Sequence, residues 1–149
     1  MTAMLARVLV LSGPNLDRLG HREPEVYGSK TLQDIHQELA DHASSLGLQV
    51  DTRQSNHEGQ LIDWINGAHD AGFVGIVVNP GALTHYSWAL HDAIKGCQLP
   101  VMEVHLSNPA AREEFRRYSC VAPACVGTIS GLGAASYSLA LDALRLLKR

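Results

Sequence analysis

Lysine is scarce in this chain. Only Lys30, Lys95 and Lys148 occur in 149 residues. None stands at the end of a stretch that reads as a strand, which argues against Schiff-base chemistry on a carbonyl substrate. Cysteine is as sparse: Cys97, Cys120 and Cys125 are an odd number without a C-x-x-C pair. That pattern suits a reducing compartment better than a disulfide framework, and the three read as small apolar side chains rather than reactive thiols. No stretch approaches the ~18 consecutive apolar residues of a membrane span. The opening residues lack a signal peptide's apolar region and cleavage site, so a cytoplasmic protein is expected. An excess of positive charge is missing too. With a net charge of -3 and a pI near 6.2, nothing general points to nucleic acid or an anionic membrane as partner, and any anion site must be local.

What is present is a globular composition, 46% apolar and 18% charged. The length suffices for one domain over residues 1–149 but not for two ordinary ones. Apolar runs alternate with helix-period segments from end to end. Val8 to Leu11 reads as a buried strand. Leu32, Ile35, Leu39, Ala43 and Leu46 then form the stripe of a helix with one buried face, with Thr31 and Asp34 as a capping pair and Gly47 as its stop. Leu48 to Gln54 alternates as a strand, and Leu61, Ile65 and Ala68 mark a second helix. Gly75–Asn79, Val101–Val104 and Cys125–Ile129 read as further strands, and His85–Lys95 and Ala135–Arg149 as further helices. Such alternation predicts parallel strands joined by right-handed crossovers, a flavodoxin-like three-layer α/β sandwich on a five-stranded parallel sheet. The chain is too short for a (β/α)8 barrel of ~250 residues.

In open α/β sheets ligands bind beyond the carboxyl ends of the strands, where the winding reverses. Those ends read "LSGPN", "RQSNHEG", "VNPGALTH" and "VHLSN", richer in Asn, Ser, His and Arg than structural turns require. Glu103 and His105 stand two apart on one strand face, where a carboxylate can fix the imidazole's tautomer for proton transfer. The plain alternative for Glu103 is a surface residue, but Val101, Met102 and Val104 around it imply a covered strand in which a carboxylate needs a partner. With His85 and Asp92 the same pair could be imagined on a metal, yet no close H-x-x-x-H spacing exists and no metal is expected. "GLGAAS" mimics a dinucleotide fingerprint but lacks the following strand and acidic residue; its glycines read more simply as close helix packing. In "NPAAREEFRRYS" the arginines fit either a solvated helix with internal ion pairs or, for Arg116 one turn from Arg112, an anion clamp.

The stretch "GPNLDRLGHREPEVYG", residues 13–28, separates the first strand from the first long helix. A loop of this length is a lid or is disordered; two prolines and a Tyr27 flanked by Val26 and Gly28 favour an ordered lid over about 18–28. A tyrosine serves as general base only as phenolate, which needs close cations, and Arg22 lies on the same loop.

Taken together, "SGPNLDRLGHREPEVYG", "RQSNHEG", "VNPGALTHYSWALHDAI", "EVHLSN" and "AREEFRRYS" resemble, in order and spacing over essentially the whole chain, the type II 3-dehydroquinate dehydratases of the shikimate pathway. The resemblance implies loss of water from 3-dehydroquinate to give 3-dehydroshikimate, by anti elimination through an enolate and without metal or organic cofactor. It makes Tyr27 the base, Arg22 the lid arginine that keeps it ionised, Asn15 the holder of a water at the enolate oxygen, and His105, oriented by Glu103, the acid. Asn79, His85 and Arg116 become substrate-binding side chains, with Leu106 and Ser107 offering backbone groups, and the serine hydroxyl, to a carboxylate. Asp92 matches a residue given to a neighbouring subunit's site, implying trimers assembled into a homododecamer, with Tyr86 and Trp88 compatible with an interface. Ser12, in place of a more common asparagine, and Asp17 and Arg18 are departures. A receiver-like signalling module of the same fold would need acidic residues after the first strand and an aspartate after the third. Gly13-Pro14-Asn15 and Asn79 stand there instead.

Overall fold

Five short strands alternate their apolar side chains between two faces, and this decides the architecture of the computed structural model, which describes residues 4–147. β1 (Ala6–Ser12), β2 (Leu48–Gln54), β3 (Gly75–Asn79), β4 (Val101–His105) and β5 (Gly127–Ser130) form one parallel sheet in the order β2-β1-β3-β4-β5. Val8, Val10, Val77, Met102 and Val104 face one side, and Leu9, Leu11, Ile76, Val78 and Val101 the other. Both faces must be covered, as parallel sheets generally are. A single helical turn, α1 (Pro24–Tyr27), lies in the loop after β1. Helices α2 (Leu32–Ser45) and α5 (Ala135–Leu147) cover the first face, through Ile35, Leu39, Ala140 and Leu141. Helices α3 (Glu58–Ala68) and α4 (Trp88–Gly96) cover the second, through Leu61, Ile65, Leu90 and Ile94. The result is the flavodoxin-like three-layer sandwich, with its winding reversed between β1 and β3.

Local chemistry sets most of the boundaries. Thr31 Oγ1 accepts from Asp34 N while Asp34 Oδ2 accepts from Thr31 N, a complete capping box at the start of α2. Several expected limits move. The helix anticipated from His85 begins at Trp88, because Ser87 Oγ caps it by accepting from Leu90 N, and Gly81–His85 forms a separate 3-10 turn. The strand expected from Cys125 starts at Gly127, after a proline-bearing 3-10 turn at Ala122–Ala124. The continuous helix read through "NPAAREEFRRYS" is instead two 3-10 turns, Pro109–Ala111 and Glu114–Arg117. The last helix ends its described course at Leu147, and the expected residues 148–149 lie outside the described part.

Close packing, the expected reason for Gly131 and Gly133, is not what requires them. A Cβ on Gly133 would meet nothing within 4 Å. Both residues have positive φ, 88° and 61°, and their N–H groups donate to the carbonyls of His105 and Leu106. Backbone conformation demands glycine there.

Candidate active site

The loop after β1 is drawn over the sheet by Leu16 and Leu19, both buried, and then turns into α1, with Pro24 at its first position. This turn hangs Tyr27 above the carboxyl ends of β1, β3 and β4. Between them is a cavity of about 140 Å³. Of the residues singled out in sequence, Asn15, Arg22, Tyr27, Asn79, His85, His105, Leu106, Ser107 and Arg116 all line it.

Tyr27 has guanidinium groups from two parts of the chain at its ring: Arg22 from its own loop, 4.9 Å from the ring centroid, and Arg112, 5.1 Å away. Arg112 also lines the cavity and donates through Nη1 to Ser107 Oγ at 3.2 Å. Its spacing in sequence pairs it with Arg116 and gives no sign of this contact with Tyr27. Arg116 makes the internal ion pair, its Nε donating to Glu113 Oε2 at 3.1 Å, and its side chain, 19% exposed, also borders the cavity.

Behind the cavity, His105 Nε2 donates to Glu103 Oε2 at 2.5 Å, which leaves Nδ1 for the cavity. Glu103 is 2% exposed, so the covered-strand reading holds and the surface reading fails. Its carboxylate has a second partner that the motifs do not reveal: Ser119 Oγ donates to Oε1 at 3.0 Å and itself accepts from Ala122 N. A buried carboxylate with two donors is held in one orientation. His85 is oriented similarly, its Nδ1 donating to Tyr118 O at 2.7 Å.

The polar strand ends also support one another. Asn15 adopts a left-handed backbone, φ 69°, and its N–H donates to Asn56 Oδ1 at 2.9 Å. Gln54 Nε2 bridges Gly13 O and Asn56 Oδ1, each at 3.1 Å. The "RQSN" at the end of β2 therefore builds the turn that carries Asn15. Asp92 stands apart: it is exposed on α4 and is not among the residues lining the cavity. Among the described residues no group of three or more His, Cys, Asp and Glu side chains is arranged to hold a metal, and no helix is long and apolar enough to cross a membrane.

The sequence matches a known family. The family model described as "Dehydroquinase class II" matches residues 6–145. The chain belongs to that family. Among its relatives, a 3-dehydroquinate dehydratase of Thermus thermophilus is 60% identical over 134 residues, covering 90% of each chain. One of Deinococcus radiodurans is 56% identical over 137 residues, covering 92% of this chain and 96% of the relative. Solved structures agree. The type II dehydroquinase of Propionibacterium acnes superposes with a TM-score of 0.92 at 45% identity, covering 97% of this chain and 99% of the other. That of Butyrivibrio crossotus gives 0.92 at 42%, covering 94% and 97%.

Proposed function

We propose that this chain is a 3-dehydroquinate dehydratase, catalysing the dehydration step of the shikimate pathway that yields 3-dehydroshikimate. The observation that supports the reading is that Tyr27, with Arg22 and Arg112 at its ring, and His105, anchored to a buried Glu103, line one cavity, where the first can serve as base and the second as acid. Anti elimination needs the two proton-transfer groups on different sides of the substrate. Here one hangs from the loop above, and the other rises from the sheet.

In this mechanism Tyr27, as phenolate, removes a proton from the carbon next to the ketone, and the C–H electron pair becomes an enolate. The guanidinium groups of Arg22 and Arg112 stand at that ring. Asn15, fixed through Asn56, holds a water that donates to the enolate oxygen, so stabilisation appears where charge develops. As the enolate collapses, the bond from carbon to the leaving hydroxyl breaks. That oxygen takes the proton of His105 and departs as water, leaving a double bond conjugated with the ketone. Glu103 keeps the imidazole aimed through its hydrogen bond to Nε2.

Asn79, Leu106 and Ser107 receive the substrate carboxylate, and His85 and Arg116 its hydroxyl groups. The segment 18–28 acts as the lid. Asp92 completes the site of a neighbouring subunit in a trimer that assembles to a dodecamer; exposed Tyr86 and Trp88 beside it form part of that contact. The reaction uses no metal or organic cofactor, and the protein works in the cytoplasm.

The test is ultraviolet absorbance of the conjugated enone as purified protein meets 3-dehydroquinate. Wild-type protein is expected to turn over in the presence of a chelator. Tyr27→Phe, which keeps the ring and deletes the base, is expected to lose at least ~100-fold in kcat with substrate still bound. If Tyr27→Phe keeps more than about a tenth of wild-type turnover, Tyr27 is not the base.

A further inference from the structure

Among the described residues, Tyr137 is the largest side chain that is wholly buried, with 0% exposure. It reaches from the first turns of α5 to the carboxyl ends of β1 and β3, the two strands between which the winding reverses. Its hydroxyl pairs with Ser12 Oγ at 2.9 Å and accepts from Asn79 Nδ2 at 3.2 Å. The other end of the same amide is also held, because Asn79 Oδ1 accepts from Gly81 N at 3.2 Å. These contacts decide which way round the amide lies, with oxygen toward Gly81 and nitrogen toward Tyr137. An amide nitrogen carries two protons, so one N–H of Asn79 remains for the cavity that it lines.

The surroundings leave the strands little room to shift. Gly13 N donates to Asn79 O at 2.8 Å, and a Cβ on Gly13 would lie 2.7 Å from Pro80 O. Asn79 is 3% exposed and Ser12 0%. Rotation of the amide is then the freedom that remains, and a rotated amide would turn its oxygen toward an incoming carboxylate. Burial pushes the Tyr137 phenol up from its ordinary range, against smaller opposing effects of the Ser12 and Asn79 hydrogen bonds, so the hydroxyl stays neutral.

We propose that Tyr137 and Ser12 are positioning residues for substrate binding: the Tyr137 hydroxyl, steadied by Ser12, locks the Asn79 amide with its free N–H toward the substrate carboxylate. This rests on the dehydratase reading above and deepens it by adding a support that touches no reacting atom. The carboxylate keeps its charge throughout the elimination, so the lock acts equally on bound substrate and transition state. Its loss therefore belongs in KM rather than kcat.

The experiment is steady-state kinetics with 3-dehydroquinate on the full chain and on Tyr137→Phe, Ser12→Ala, Asn79→Ala and Tyr137→Phe/Asn79→Ala. Tyr137→Phe is expected to raise KM by about fivefold with kcat held within about twofold, the pattern of lost uniform binding. Ser12→Ala is expected to raise KM by less, and it carries the test should Tyr137→Phe fail to fold. In the Asn79→Ala background Tyr137→Phe should add no further rise, because the group it orients is gone. An unchanged KM in folded single variants, or an equal rise with Asn79 already absent, would overturn the positioning role while leaving the dehydratase reading intact. A wild-type protein without turnover would remove the dehydratase reading and this inference with it.

Discussion

Glu103 shows how much one buried residue depends on its partners. At 2% exposure the carboxylate keeps its place because His105 and Ser119 both donate to it, and a buried charge stripped of such donors costs several kcal/mol. Its charge also reaches the cysteines. The Cys125 thiol is pushed up to about 12, first by burial and then by Glu103 and Cys97, and Cys120 is raised by burial as well. Cys97 and Cys120 are buried. A thiolate is the reactive form, so the native protein should show no fast-reacting thiol with Ellman's reagent at a pH of about 8 and release all three after unfolding. A fast equivalent in the native state would contradict this packing.

At the scale of the element, α2 pairs a complete capping box with one misfit. His36 Nε2 is buried and has no hydrogen-bond partner, and desolvation lowers the His36 pKa below its ordinary 6.5. Between that lowered value and 6.5 the unfolded chain binds more protons than the folded one. Stability therefore rises with pH through this window and is lost as pH falls through about 6.5. His36→Leu should remove this loss and relieve the unpaired nitrogen, a gain of about 1 kcal/mol. The midpoint of thermal unfolding near neutral pH should rise by about 3 °C. The drop in Tm on acidification to a pH of about 5 should also shrink relative to the parent. Comparison with the parent cancels the response of His42 on the same helix, whose contact with Asp142 of α5 at 2.9 Å is common to both proteins. An equal pH slope in the two would show that His36 does not titrate with folding.

For the whole molecule, four large aromatic side chains remain exposed near the cavity: Tyr86 at 65%, Trp88 and Phe115 at 56% each, and Tyr118 at 54%. Such a patch is what a subunit interface leaves on a single chain. It lies beside Asp92, the residue proposed above to enter a neighbouring subunit's site. Replacing Tyr86 and Trp88 together by glutamate should shift sedimentation velocity from the large assembly to small species, with turnover falling in step. Wild-type protein that sediments as a fully active 16.1 kDa monomer would refute the shared site.

The order of strands and helices, the two apolar faces and the polar strand ends were legible in the sequence, because periodicity reports which residues face a core and turn residues report where a strand must stop. That is how Tyr27, Asn79 and His105 can be placed at one edge from the sequence alone. Side-chain partnership was not legible. Ser119 beneath Glu103, Asn56 beneath Asn15, and Arg112 beside Tyr27 fit their local patterns equally well as solvated residues. Ser12 and Tyr137 lie 125 positions apart in the chain. Only closure of the sheet, with α5 crossing beneath the switch point, brings such residues within hydrogen-bond distance, since local pattern constrains direction and long-range packing decides contact.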